Sequence, residues 1–133
     1  MAEHNETGKL GEEIAAGFLE AKGYTVLDRN YRFEKAEIDI AALDLENHEL
    51  VFVEVKTRTD FSGMPPEAAV TATKQRLIFR AADSYLYERQ MTSVPVRFDV
   101  IAINLKDPEN PMIRHFEDAF RMLGSPDEFL GSF

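Results

Sequence analysis

The chain has no cysteine, which removes disulfide staples and thiolate metal sites from consideration. It also lacks any apolar run approaching the roughly 18 to 20 residues that a membrane-spanning helix needs. The opening stretch, MAEHNETGKLGEE, has no basic region followed by an apolar core, so it does not read as a signal peptide, and a cytoplasmic location is the default expectation. Positive charge is in short supply. Fifteen Lys and Arg face 24 Asp and Glu, and the net charge of −9 argues against a simple polycation that coats nucleic acid. No internal repeat, low-complexity segment or long linker divides the sequence.

What is present fits a soluble globular protein: 133 residues, 44% hydrophobic and 29% charged, enough for one domain over 1–133 with its own core. Residues 1–6 and about 124–133 read as tails. Charge is unevenly distributed. Lys56, Arg58, Lys74, Arg76 and Arg80 form a basic stretch interrupted by Asp60 and Glu67, whereas the sequence from Asp99 onward is acidic. A local basic zone on an acidic protein is compatible with a small phosphate footprint and equally with a solvated mixed surface.

The expected fold class is α/β, a mixed β-sheet flanked by helices in the order α-β-β-β-α-β plus a C-terminal strand and helix. TGKLGEEIAAGFLEAK (7–22) predicts a first helix, with Thr7 as its cap, Gly23 as its stop and Leu10, Ile14 and Phe18 as its core stripe. YTVLDRNYRF, AEIDIAAL and LVFVEVKTR predict three strands, the last two joined by DLENHE. TDFSGMPPEAA reads as a loop positioned to close over a substrate or simply to connect. TATKQRLIFRAADSYLYER predicts a long helix, PVRFDVIAINL a strand, and MIRHFEDAFRML a short strand leading into a helix, with Phe116, Phe120 and Leu123 as packing residues. His4, His48 and His115 lack ligand spacing and suit surface or packing roles. Arg97 and Asp99 share a strand face, where they can brace one another.

The anomaly lies in EIDIAALDLENHELVFVEVKTR, residues 37–58. Glu37, Asp39, Glu54 and Lys56 interrupt runs that otherwise read as buried strands, and charged groups are seldom buried unless paired or bound to metal. Strand alternation puts Ile38, Ile40 and Ala42 on one face and Glu37, Asp39 and Ala41 on the other. A hairpin centred on DLENHE sets Ala42 opposite Val51, Ile40 opposite Val53 and Ile38 opposite Val55. Asp39 then faces Glu54, and Glu37 faces Lys56. Like charges opposed on a sheet are destabilising, and two carboxylates in a desolvated spot raise each other's pKa.

A hard divalent cation removes that conflict. Mg²⁺ takes oxygen ligands at about 2.0–2.1 Å, commonly one or two carboxylates plus water and phosphate. Such an ion polarises a phosphoryl oxygen and generates a nucleophile from water near neutral pH. Lys56, on the same face as Glu54, is placed to orient that nucleophile or neutralise charge developing on phosphorus. Helical rotation turns Glu12, rather than Glu13, toward the protein, as a third carboxylate acting directly or through water, or else as a surface glutamate at the positive end of the helix. Glu37 suits a pairing role with a neighbouring Lys or Arg.

These residues also carry a resemblance. Gly8-x-x-Gly11-Glu12, Glu37-Ile38-Asp39, Val53-Glu54-Val55-Lys56-Thr57-Arg58, Ala69-Val70-Thr71 with Lys74-Gln75, and Arg97-Phe98-Asp99-Val100 together resemble the YraN-like family of small bacterial proteins. The match runs in order from about Gly8 to Phe120. That family is similar to restriction-endonuclease-like nucleases of PD-(D/E)xK type, and the resemblance extends to Holliday-junction resolvases, which place a glutamate on the first helix. The resemblance implies metal ligation by Asp39, Glu54 and the Val55 carbonyl, a catalytic role for Lys56, an accessory one for Glu12 and a further site role for Gln75. Lys35-Ala36 departs from the glycine usual before the EID run.

The expected activity is Mg²⁺- or Mn²⁺-dependent hydrolysis of phosphodiester bonds in DNA, with branched or structured DNA suggested by the resolvases and a homodimer suited to symmetric cutting. Arg58, Lys74, Arg76 and Arg80 are candidate phosphate contacts. A nucleic-acid-binding module without turnover and an acidic protein-binding adaptor are the rival readings, both favoured by the net charge.

Overall fold

Why the charged strands stay folded is answered by a five-stranded sheet sandwiched between two helices. The computed structural model describes residues 6–59 and 70–121. Helix α1 spans Glu6–Ala21; strands β1, β2 and β3 span Tyr24–Phe33, Ala36–Asp44 and Glu49–Arg58; helix α2 spans Ala72–Glu88; strands β4 and β5 span Val96–Asn104 and Met112–Phe120. The strands lie side by side in chain order. Neighbours are antiparallel except β3 and β4, which are parallel and joined through α2. The sheet is therefore mixed, as expected.

Side-chain alternation along β3 divides the core. Leu50 and Phe52 pack with Ile78, Ala81, Ala82 and Tyr85 of α2. Val51 and Val53 pack with Ala15, Ala16 and Leu19 of α1. Each face of the sheet thus buries an apolar stripe of one helix, the main source of stability for helices of this length. On α2 the Thr71 hydroxyl accepts the Lys74 N–H at 3.1 Å, an N-cap that satisfies one of the free donors of the first turn.

Four expectations need correction. Thr7 and Glu6 lie inside α1, so Thr7 is not its cap and Glu6 is not part of a tail. The buried stripe of α1 is Gly11, Glu12, Ala15, Ala16 and Leu19, while Leu10 is 42% exposed: small residues seat the helix closely on the sheet. Residues Met112–Phe120 form one strand throughout, pairing with β4, where the sequence suggested a strand turning into a helix. A four-residue spacing puts Phe116 and Phe120 on one face of a strand as readily as of a helix, and both rings pack on the α2-side core. Finally, Ile38 does not share a face with Ile40 and Ala42; it packs on the α2 side with Ala41. Alternation breaks at Asp39, opposite the point where Asn30 of β1 adopts φ 56°, between the pairs Arg29↔Ile40 and Tyr31↔Ile38. Of the expected closing loop 59–69, residues 60–69 fall outside the described residues, as do His4, Leu123 and the expected tail of about 124–133.

At the hairpin end of the sheet, Arg97 is a buried hub. Its guanidinium donates to both oxygens of Asp99, to Asp44, to Glu49 and to the Tyr24 hydroxyl. Asp99 is fully buried and also engages His115 Nε2 at 2.7 Å and the Asp118 N–H at 2.9 Å. His115, expected as a surface or packing residue, is thus part of the internal network. Burial tends to raise the Asp99 pKa, but the His115 and Arg97 hydrogen bonds outweigh it and hold the carboxyl below the usual range.

Candidate functional site

The hairpin register agrees with the sequence reading where the ladder exists: Ala42 faces Val51 and Ile40 faces Val53. Beyond that pair β2 and β3 separate. Asp39 Oδ2 accepts the Val55 N–H at 2.8 Å, so a side chain substitutes for the next ladder bond. The anticipated ladder partners Asp39–Glu54, Ile38–Val55 and Glu37–Lys56 are not formed; Glu37 instead sits opposite Arg32 of β1, 3.9 Å from its guanidinium. This opening of the sheet creates a cleft of about 640 Å³.

Both helices begin at this cleft. Thr7, Gly8 and Glu12 of α1 line one side, and Thr71, Thr73 and Lys74 at the start of α2 line the other. The positive ends of two macrodipoles therefore face it, a setting that favours carboxylates and phosphate. α1 approaches because Gly11 has no side chain: a Cβ there would collide with Thr57, the residue after Lys56. That close approach brings Glu12 to the cleft, where it is only 5% exposed. Its Oε1 accepts a hydrogen bond from Asn30 Nδ2 at 2.9 Å.

Asp39 and Glu54 line the cleft together, at 8% and 5% exposure. Burial raises the Asp39 pKa well above the ordinary value, and the Glu54, Glu12 and Glu37 charges add to the rise; the Val55 hydrogen bond opposes them. Glu54 Oε2 meets the ammonium of Lys74 at 2.7 Å and of Lys56 at 3.3 Å. Burial would lower the Lys74 pKa, but Glu54, with help from Asp39, holds it above its usual value.

The donor chemistry fits a hard divalent cation. Two buried carboxylates repel one another beside open water, and their oxygens are the ligands Mg²⁺ or Mn²⁺ takes. Among the described residues no group of three or more histidine or carboxylate side chains gathers around one point, so the site offers a pair, and Glu12, tied to Asn30, suits an outer, water-mediated place.

The structure brings together Glu12, Asp39, Glu54, Val55, Lys56 and Lys74, and leaves the other sequence candidates outside the cleft lining. Gln75 donates its side-chain amide to the Val70 carbonyl at 3.0 Å, closing the entry to α2. Arg58 is exposed and does not line the cleft, although Thr57 and Thr59 on either side of it do; Arg76 binds Thr73, and Arg80 pairs with Glu34 at 2.7 Å. Sequence reasoning missed Asn30. Its only signal was an asparagine amid strand-forming residues, a type that tolerates positive φ.

A mixed sheet whose parting strands present an Asp and a Glu-x-Lys at the mouth of a cleft defines the class: a small α/β protein with a paired-carboxylate, paired-lysine site. The chain belongs to the uncharacterised protein family UPF0102, whose model matches residues 11–103. It is 46% identical over 120 residues to a UPF0102 protein of Pelobacter propionicus, covering 90% of this chain and 86% of that one. A UPF0102 protein of Flavobacterium psychrophilum is 42% identical over 90% of this chain and 98% of its own length, and one of Geobacter sulfurreducens 45% identical over 90% and 92%. Among the described residues no helix is long and apolar enough to cross a membrane.

Proposed function

We propose that this protein is a Mg²⁺- or Mn²⁺-dependent nuclease of restriction-endonuclease-like type that hydrolyses phosphodiester bonds in DNA, working in the cytoplasm. The observation that carries the reading is the convergence of buried Asp39 and Glu54 on one cleft with the Lys56 ammonium 3.3 Å from Glu54. A cation held by the two carboxylates, with the Val55 carbonyl as a further ligand, supplies Lewis-acid polarisation of the phosphodiester. The chain itself does the rest. Lys56 orients the attacking water and neutralises charge on the phosphoryl oxygens, Glu12 holds the water shell from the α1 side, and the α2 N-terminus receives the phosphate. Branched DNA is the favoured substrate class, cut symmetrically by a homodimer.

The second reading is a nucleic-acid-binding module without turnover, favoured by the engagement of Glu54 by two lysines. A cleavage panel of duplex, single-stranded, flap and four-way DNA with Mg²⁺ or Mn²⁺ separates the two. Metal-dependent cutting that falls by about 10²–10³-fold in Lys56→Ala, with metal binding retained, supports the nuclease. Retardation of DNA in a gel with every substrate left intact supports the binding module.

A further inference from the structure

The cleft is lined by the carboxylates Glu12, Glu37, Asp39 and Glu54 and by the ammonium groups Lys35, Lys56 and Lys74. Arg32, 3.9 Å from Glu37, brings the cations to four against four carboxylates, so the cleft has no positive excess to draw in a phosphodiester. Lys74 is the tightest partner of Glu54, at 2.7 Å against 3.3 Å for Lys56. The two lysines differ in mounting. Lys56 is fixed on β3 two residues from Glu54, whereas Lys74 projects from the capped first turn of α2 across the cleft, with its side chain 43% exposed.

An ammonium at 2.7 Å covers a carboxylate oxygen that a divalent cation would need. The two cannot share that oxygen without repulsion between their charges. We propose that Lys74 is a tethered counter-ion that holds Glu54 until a divalent cation binds and then turns to the DNA phosphate, making metal binding and DNA binding mutually reinforcing. The proposal rests on the nuclease-site reading and adds an order to it: cation first, nucleic acid second. Charge accounts for the direction. A dication gives a charge-balanced cleft a positive excess and releases an ammonium beside the α2 N-terminus, where phosphate is favoured. By linkage, whatever factor the cation adds to DNA affinity, DNA adds to cation affinity.

The test is calorimetry with Mn²⁺ and fluorescence anisotropy with a labelled duplex and a labelled four-way junction, in Ca²⁺ or in EDTA. Wild type, Lys74→Met and Lys35→Met are compared, the last removing the same charge from the same cleft without touching Glu54. Lys74→Met is expected to bind Mn²⁺ about three- to fivefold tighter, the scale of one half-exposed ion pair. It is also expected to bind DNA more weakly in Ca²⁺ and to lose most of the Ca²⁺-over-EDTA enhancement shown by wild type. Lys35→Met is expected to keep that enhancement. Unchanged or weaker Mn²⁺ binding by Lys74→Met, in a protein whose wild type binds Mn²⁺, overturns the inference and leaves the nuclease reading standing. Absence of Mn²⁺ binding in wild type overturns both. Lys74→Gln, closer in shape, gives the same readings should the Met variant melt early.

Discussion

Asp39 Oδ2 takes the Val55 N–H at 2.8 Å, so the carboxylate spans the point where β2 and β3 part. The bond holds the strands in register while keeping the sheet open. It also places a buried acid beside Glu54, an arrangement that favours function over stability.

Replacing Asp39 with Asn should therefore stabilise the protein. The folded-state pKa of Asp39 is raised, chiefly by burial and then by Glu54. Its favourable contribution is present below the unfolded-state pKa and is lost as pH rises through the folded one. At neutral pH the variant is expected to gain about 1–2 kcal/mol, read as an upward melting shift of roughly 3–6 °C. The gain should shrink toward pH 4, and the variant should lose Mn²⁺ binding. Melting curves from pH 4 to 8 with and without Mn²⁺ check both signs; a lower melting point at pH 7 counts against the site.

Gly11 is the contact that sets α1 on β3. Gly11→Ala gains helix propensity but drives a methyl into Thr57, and the net effect is expected to be a loss of about 1–2 kcal/mol. Thr57→Ala in the same chain should restore most of it. A double-mutant cycle by urea denaturation measures the coupling; additive losses would show that the close approach is not the cause.

Acid should dissolve the Arg97 hub. Burial works to raise the Asp44 pKa, but the Asn47 and Arg97 hydrogen bonds carry it down to about 2, and Asp99 is lowered as well. Depressed carboxylates contribute stability above their unfolded pKa and lose it as pH falls, here through the window from the ordinary carboxylate value toward about 2. Arg97→Met leaves Asp99 buried without its cation and is expected to cost about 3–5 kcal/mol at pH 7. Urea midpoints at pH 7 and pH 3 should show the wild-type advantage over Arg97→Met narrowing in acid.

Asn30 should act through Glu12. Asn30→Gly keeps the positive φ and removes only the amide that holds Glu12 Oε1, so the fold should be retained within about 1 kcal/mol. Cleavage, measured across Mn²⁺ concentrations, should need more metal to saturate. Asn30→Ala should show the same metal shift plus added destabilisation, because alanine accepts the left-handed backbone poorly.

Sequence alone settled the presence of α1 and α2, the strands β1 to β4 and the first pairs of the β2–β3 ladder, because those follow from local periodicity and turn chemistry. Acidic residues inside an aliphatic run also marked Asp39 and Glu54 without any structure, since burial of such groups demands a physical reason. Other features came only from packing. The buried stripe of α1 depends on how closely Gly11 meets Thr57, a contact between residues 46 positions apart. The course of β5 follows its pairing with β4, which overrode a near-helical spacing of aromatics. Which of the candidate side chains reach the cleft was likewise tertiary: Lys74 does, while Arg80 is drawn away by Glu34 and the neutral amide of Gln75 by the Val70 carbonyl. Residue types and periods record what each segment can do locally. The partner of each charged group depends on distances between elements, and those exist only once the sheet is formed.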